Sequence, residues 1–422
     1  MLPAPPEKRT LLLVYLSTLG TWGSYALVVV VLPFRFQELG LSVVEYGAAL
    51  AVYALGTLAT EGLWGYLAFR IGSVRRLGTL GAATAAAMIA LGFARSFGAF
   101  ALLLGLYGML VVYSTPLIRW LGMSAAGPGT ASRGLGRLGL FFGVGLTVGT
   151  ASGPVLYEVG GFGLTLGVAV VVFAASTVPL LLVPWASVRL PRAVVRARGS
   201  FRAMLERQFL LATALVVLYF MSYTLVTNFL QYYSIGLFHG TLEQAGYVIG
   251  AARGAAVVVG VLLGAVVDRW GAPRAAPLGF FLLAAGALGS WVATSYAEMT
   301  IATLVAAAGA GWLGVTLLPM ALARIRPADQ GTAVGVFGSF EDLGLILGPL
   351  LLGIVYSVLG PRDLFPITAV LALSAMTLAL LARAPPSRGE PAQGDRTPRE
   401  RSADPDRGSA TSPANHAAPS AP

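Results

Sequence analysis

Four ionisable side chains stand inside long apolar runs of a 422-residue chain: Glu61, Arg253 and the adjacent pair Glu341 and Asp342. A charge at membrane depth is costly to desolvate, so it is kept where it pairs, binds or carries a proton. A carboxylate in an apolar setting, close to a second one, favours its protonated form, whereas a nearby guanidinium favours the ionised form. Glu61, Glu341 and Asp342 are therefore candidate proton carriers. A fixed salt bridge that only holds helices together is the competing reading. Successive helical residues are about 100° apart, so Glu341 and Asp342 cannot share a face. Glu341 lies in the direction of Gly338, Gly344 and Gly348, toward a packed neighbour, which makes Asp342 the better cavity candidate. Arg253, near the middle of its run, would attract an anion or neutralise an acid.

Uncharged polar groups make a second pattern. Projected on a helix, Thr224, Thr227, Asn228 and Gln231 fall on one arc, with Phe220 at its edge and Tyr219 and Tyr223 beside it. Thr18, Thr21, Trp22 and Tyr25 form a similar stripe 199 residues earlier (220 − 21, 224 − 25). Matching stripes on matching helices suit a shared central cavity, and hydrogen bonding between helices is the alternative use. Arg253, Thr21, Trp22, Tyr25, Tyr219, Tyr223, Thr224, Asn228 and Gln231 are the candidate cavity residues. Aromatic rings with amides suit a sugar, a nucleoside-like compound or an amphipathic drug.

The elements that must position these groups are membrane helices. Hydrophobic residues make up 56% of the chain and charged residues only 11%, against about 25% charged in soluble domains. A spanning helix takes about 20 apolar residues. Such runs lie near 11–33, 45–68, 76–94, 98–121, 136–157 and 162–184, then near 209–236, 243–266, 275–293, 298–322, 332–356 and 363–382. The pattern predicts an all-α membrane protein of twelve transmembrane helices: a six-helix bundle over 1–184, a basic linker over 185–208, a second bundle over 209–383 and a disordered tail over 384–422. The first run resembles a signal peptide in its basic start, but its length and its place in an internal repeat mark it as retained. The linker carries Arg189, Arg192, Arg196, Arg198, Arg202 and Arg207, and the tail is a low-complexity mixture of Pro, Ser, Arg and Gly.

The arginines fix an expected orientation. With the N-terminus inside, the inner loops receive Lys8, Arg9, Arg70, Arg75, Arg76, Arg119, Arg133, Arg137, the linker arginines, Arg269, Arg274, Arg324 and Arg326, and the outer loops receive only Arg35, Arg95 and Arg362. Both termini are then cytoplasmic, in a cell (inner) membrane.

The two bundles repeat each other. Gly65-Tyr-Leu-Ala-Phe-Arg-Ile-Gly72 closes the second span and Gly264-Ala-Val-Val-Asp-Arg-Trp-Gly271 closes the eighth, 199 residues on (264 − 65). Gly47 and Gly246 share that offset, and Gly153-Pro154 and Gly348-Pro349 repeat at 195 (348 − 153). Gly-x-x-x-Asp-Arg-x-Gly-x-x-Arg, between spans two and three, is the hallmark of the major facilitator superfamily. The chain resembles it twice, at Gly65, Arg70, Gly72 and Arg76, the last one place beyond the pattern's own position at Arg75, and at Gly264, Asp268, Arg269, Gly271 and Arg274. Phe69 replaces the family's aspartate in the first copy. The resemblance covers roughly residues 10–383. It implies two pseudo-symmetric bundles that rock about a midplane site, gating loops at these two motifs, and contacts of span two with eleven and of five with eight. Gly145, Gly149, Gly153 and Pro154 partly resemble the antiporter motif of drug-efflux members, and with Gly344, Gly348 and Pro349 they are otherwise a helix-packing motif. The family's span-four arginine is missing, with Leu104 at its likeliest place.

Several functions are excluded. Lys8 is the only lysine and precedes the first run, so no Walker A lysine and no membrane-embedded retinal Schiff base is possible. Cysteine is absent, and His239 and His416 have no metal-ligand partners at useful spacing. The net charge of +10 is spread between apolar runs, which argues against nucleic acid. The expectation is a monomer with no cofactor, metal or enzymatic activity. It would move a small solute by alternating access, as a proton-coupled efflux antiporter of a drug-like or metabolite substrate. Proton-linked uptake of a sugar or organic anion is the close alternative, followed by a non-transporting sensor and a lipid flippase.

Overall fold

Within a bilayer no water can satisfy the backbone, so apolar segments of this length cross it as helices. The computed structural model describes residues 8–71, 73–125, 131–185, 204–325 and 330–381, and among them there is no strand. Helix α1 is Lys8–Glu38, α2 Val43–Ile71 and α3 Val74–Leu91. Helix α4 starts as Phe97–Val111 and runs on through a 3-10 turn, Val112–Ser114, into Thr115–Ala125. One continuous run, Ala131–Leu181, comes next. Its 51 residues would reach about 77 Å as a straight helix, more than twice the roughly 30 Å of a hydrocarbon core. It reverses instead at Gly160 (φ −149°, ψ 19°) and Gly161 (φ 65°, ψ −166°), the second in a conformation that only glycine adopts freely. The run is thus two spans, α5 (131–159) and α6 (162–181).

The second bundle repeats this. Helix α7 is Arg207–Gly236, α8 Leu242–Trp270, α9 Ala272–Val292, α10 Tyr296–Leu322, α11 Gln330–Val358 and α12 Leu364–Leu381. Eleven of the described helical runs are long and apolar enough to cross a membrane, and the division of one at its two glycines gives twelve spans. Their starts are set by local chemistry. Ser73, Ser96, Thr241 and Ser295 cap α3, α4, α8 and α10 by accepting backbone N–H groups, and Thr241 forms a full capping box with Gln244.

The two hallmark motifs are helix rather than loop. Residues 65–71 are the last turns of α2 and 264–270 the last turns of α8. The turn in the second copy is Gly271 alone, with φ 82°, which ends α8 and begins α9. Gly72, the linker over 186–203 and the tail over 382–422 lie outside the described residues, as do the side chains of Arg70 and Asp268. A side chain at Gly271 would be strained at this φ, so Gly271→Ala should lower stability by about 1 kcal/mol or more. A fall in the thermal midpoint of the detergent-solubilised protein, absent for Gly264→Ala about two turns earlier, checks this.

Small residues decide how closely the helices approach. A methyl group at Gly145 or Gly149 would overlap the carbonyls of Leu19 and Gly23 on α1, and one at Gly153 would overlap Val30. On the matching pair, a methyl at Gly344 would lie 2.8 Å from the Val217 carbonyl of α7, and one at Gly348 would lie 2.6 Å from Thr224 Oγ1. The glycines of α5 and α11 therefore form packing faces for α1 and α7.

The bundles meet along α2 with α11 and along α5 with α8. Gly47 of α2 lies under the Pro349 carbonyl of α11, and Gly246 of α8 lies under the Pro154 ring of α5, where a methyl would come within 2.6 Å. The glycine repeat and the proline repeat are thus one contact made twice, each glycine receiving the proline of the other half. Both contacts lie in the first turns of α2 and α8, at the bundle end that holds Glu38.

Candidate functional site

Where α2 meets α11, three carboxylates and a guanidinium gather. Arg119 Nη1 donates to Glu61 Oε1 at 3.2 Å, with side chains 42% and 21% exposed. The arginine distribution puts Arg119 in a loop. It stands inside the helix because α4 runs on past Pro116. Thr60 and Trp64, flanking Glu61, donate to the Met109 carbonyl at 3.1 and 2.6 Å and lock α2 onto α4 beside the ion pair. The Glu61 carboxylate lies against α11 at Gly338, where a Cβ would be 3.5 Å from Oε2.

Glu341 and Asp342 lie one turn later and diverge. Both feel the charges of Glu61 and Arg119. Asp342 faces the first bundle, with Thr57 of α2 beside it and Tyr25 of α1 and Tyr53 of α2 within electrostatic reach. Its Oδ2 is buried and has no hydrogen-bond partner. Glu341 acts on Tyr219 of α7, the helix that the glycine face of α11 packs against.

Arg253 is 7% exposed, and its Nε and Nη1 are buried without hydrogen-bond partners. Arg253 takes part in neither of the ion pairs Arg35–Glu38 and Glu61–Arg119, and no carboxylate among the described residues neutralises it. Its charge reaches the hydroxyls of Tyr25, Tyr46 and Tyr223. Rings line the centre from both bundles. Trp22 meets Tyr25 at 5.5 Å and Phe142 at 4.6 Å, and Tyr25 stacks on Tyr53 at 5.4 Å. Opposite them, Tyr219 stacks on Tyr223 at 5.6 Å and meets Phe220 at 4.7 Å.

The polar stripes divide on folding. Trp22, Tyr25 and Tyr223 stay near the centre, half-buried. Thr21 turns to α6, where its hydroxyl shares a 3.0 Å hydrogen bond with Ser176. Thr224 and Thr227 donate to their own helix, to the carbonyls of Phe220 and Tyr223 at 2.9 and 3.1 Å. Between Thr224 and Gln231 the helix widens into a π-turn, Leu225–Phe229, which contains Thr227, a feature that recurs at functional sites. It leaves the Asn228 carbonyl free to accept from Gln231 Nε2 at 2.9 Å and, across the two bundles, from the Tyr46 hydroxyl at 3.1 Å. Tyr46 is fully buried there, 5.8 Å from Phe229 and 5.5 Å from Tyr232, which in turn meets Tyr356 at 5.5 Å. The Glu243 N–H donates to Glu158 at 3.3 Å at the same end. Nothing in the local sequence signals the π-turn, since it contains neither glycine nor proline.

A family profile described as Major Facilitator Superfamily matches residues 14–297 and 237–414. The chain belongs to this superfamily. It is a multi-pass membrane protein with the superfamily's transporter fold. Three solved structures share that fold. A bacterial homolog of the human lysosomal transporter Spinster, inward-facing and unoccupied, has a TM-score of 0.72 at 16% identity, over 88% of this chain and 96% of that one. The D323A mutant of the nucleoside transporter NupG has 0.73 at 13% identity, over 88% and 99%. An auto-inhibited POT family peptide transporter has 0.71 at 13%, over 88% and 96%. No curated protein matches this superfamily member in sequence.

Proposed function

We propose that the protein is a secondary active transporter of a small solute, coupled to protons and working by alternating access in a cell (inner) membrane, with both termini in the cytoplasm. The acid cluster at the α2–α11 contact carries this reading. Fully ionised, its three acids and Arg119 sum to −3 + 1 = −2, with only Glu61 paired to the cation. Each proton taken up relieves this imbalance, and the cluster lies where the bundles must part or close. The arginine distribution supports the orientation.

Efflux by proton antiport of a drug-like or metabolite solute rests on the glycine pattern of α5. Those glycines pack on α1, a use that serves either direction. A second reading, proton-linked uptake of an organic anion, is favoured by the unpaired Arg253: an anion there and a proton on Asp342 offset each other's charge, so the two load together. Proteoliposomes with an imposed pH gradient separate the two. Antiport drives solute toward the acidic compartment and symport toward the alkaline one. Ethidium and 2-naphthalenesulfonate serve as cationic and anionic probes. A protein that binds solute yet never exchanges it in counterflow overturns transport altogether.

A further inference from the structure

The centre of the bundle holds a buried cation that has no carboxylate partner among the described residues. On α8, Gly250 and Gly254 pack against Ala151 and Thr147 of α5, whereas Ala256 and Gly260 pack against Gly311 of α10. Arg253 projects between those two contacts. A buried guanidinium without a carboxylate costs several kcal/mol, and an arginine that served only to hold helices together would have its partner beside it. The groups within electrostatic reach of it are instead the phenol hydroxyls of Tyr25, Tyr46 and Tyr223, from α1, α2 and α7. Trp22, Tyr25 and Tyr223 are half-buried, as are Phe142 and Phe220 next to them, so each ring keeps an uncovered part with space beside it.

We infer that this space binds an organic anion carrying an aromatic ring, its acidic group on Arg253 and its ring between the aromatic walls of the two bundles. Arginine binds carboxylate, sulfonate and phosphate oxygens through charge-assisted hydrogen bonds, and the two free nitrogens are the donors available. Tyrosine and tryptophan faces take up a flat ring. The site draws α8 and α7 of one bundle onto α1 of the other, so an occupant bridges the surfaces that separate in alternating access. This deepens the transport reading by naming its substrate class, in either direction of movement.

Isothermal titration of the full chain in detergent tests it with a matched pair, 2-naphthalenesulfonate and the neutral 2-naphthalenesulfonamide. The sulfonate should bind at least about tenfold more tightly. Arg253→Gln should remove the preference, Arg253→Lys should keep part of it, and Trp22→Leu should weaken both ligands alike. Equal affinities in the unaltered protein, or a preference that survives in Arg253→Gln, would overturn the site even if one variant folds poorly. Counterflow keeps the two readings apart. Sulfonate that binds without exchanging removes transport and leaves the site standing. Ethidium exchange without sulfonate preference removes the site and leaves transport standing.

Discussion

Asp342→Asn should abolish accumulation driven by a pH gradient while leaving solute exchange intact. The substitution keeps the shape of the side chain and removes its ability to take a proton. Of the three acids, Asp342 is the one that faces the first bundle with a buried oxygen that has no hydrogen-bond partner among the described residues. Glu61 is held by Arg119 at 3.2 Å, and Glu341 is directed at α7 within its own bundle. The groups facing Asp342 are Thr57, Tyr53 and Glu61 on α2, Tyr25 on α1, Arg119 on α4 and Glu341 beside it. One pH unit across the membrane is worth about 1.4 kcal/mol, enough for about tenfold accumulation with one proton per solute. The variant should fall from that ratio to none, with counterflow rates close to those of the unaltered protein. Glu341→Gln should cost less. Full gradient-driven transport in Asp342→Asn and in Glu61→Gln and Glu341→Gln as well would leave the cluster as a structural salt bridge.

Features set by local rules were legible in the amino-acid sequence. Apolar runs and the glycine repeat located the spans to within a few residues, because hydrophobic length and small-residue spacing act along one helix. The single run over Ala131–Leu181 still resolved into two spans at Gly160 and Gly161. Arg119 shows where such rules stop. Its charge counts it to an inner loop at the end of the run over 98–121, yet a 3-10 turn at Val112–Ser114 carries the helix past Pro116 and brings Arg119 to Glu61. The candidate site was legible as a set of residue types and not as an arrangement. An arc on a helical wheel is wide enough to include Thr21, whose neighbour Gly20 draws α6 close and spends the hydroxyl on Ser176. Whether Arg253 is neutralised depends on α1, α2 and α7, which the sequence of α8 does not contain. The π-turn frees the Asn228 carbonyl for Tyr46 across the interface, a partner that the sequence of α7 does not contain.

Gly47→Leu should hold the Glu38 end of the bundle open and stop transport. In the structure that end is closed by Gly47 against Pro349, Gly246 against Pro154, and the Tyr46, Phe229, Tyr232 and Tyr356 rings. A leucine at Gly47 would overlap the Pro349 carbonyl, and backbone cannot yield as a flexible side chain can. Overpacking a close contact costs about 1–3 kcal/mol. The cost falls on the closed state alone, because α2 and α11 separate when this end opens. The ratio of open to closed molecules should therefore rise roughly tenfold for each 1.4 kcal/mol. The absence of cysteine from the chain makes this measurable without background. Tyr232→Cys, buried behind Tyr46, should react slowly with a membrane-impermeant maleimide and about tenfold faster when Gly47→Leu is added. Gly246→Leu should act in the same way through Pro154, since the repeat makes the two contacts equivalent. Unchanged labelling in both double variants, with the proteins folded, would mean that α2 and α11 stay together through the cycle and that the bundles do not part at this end.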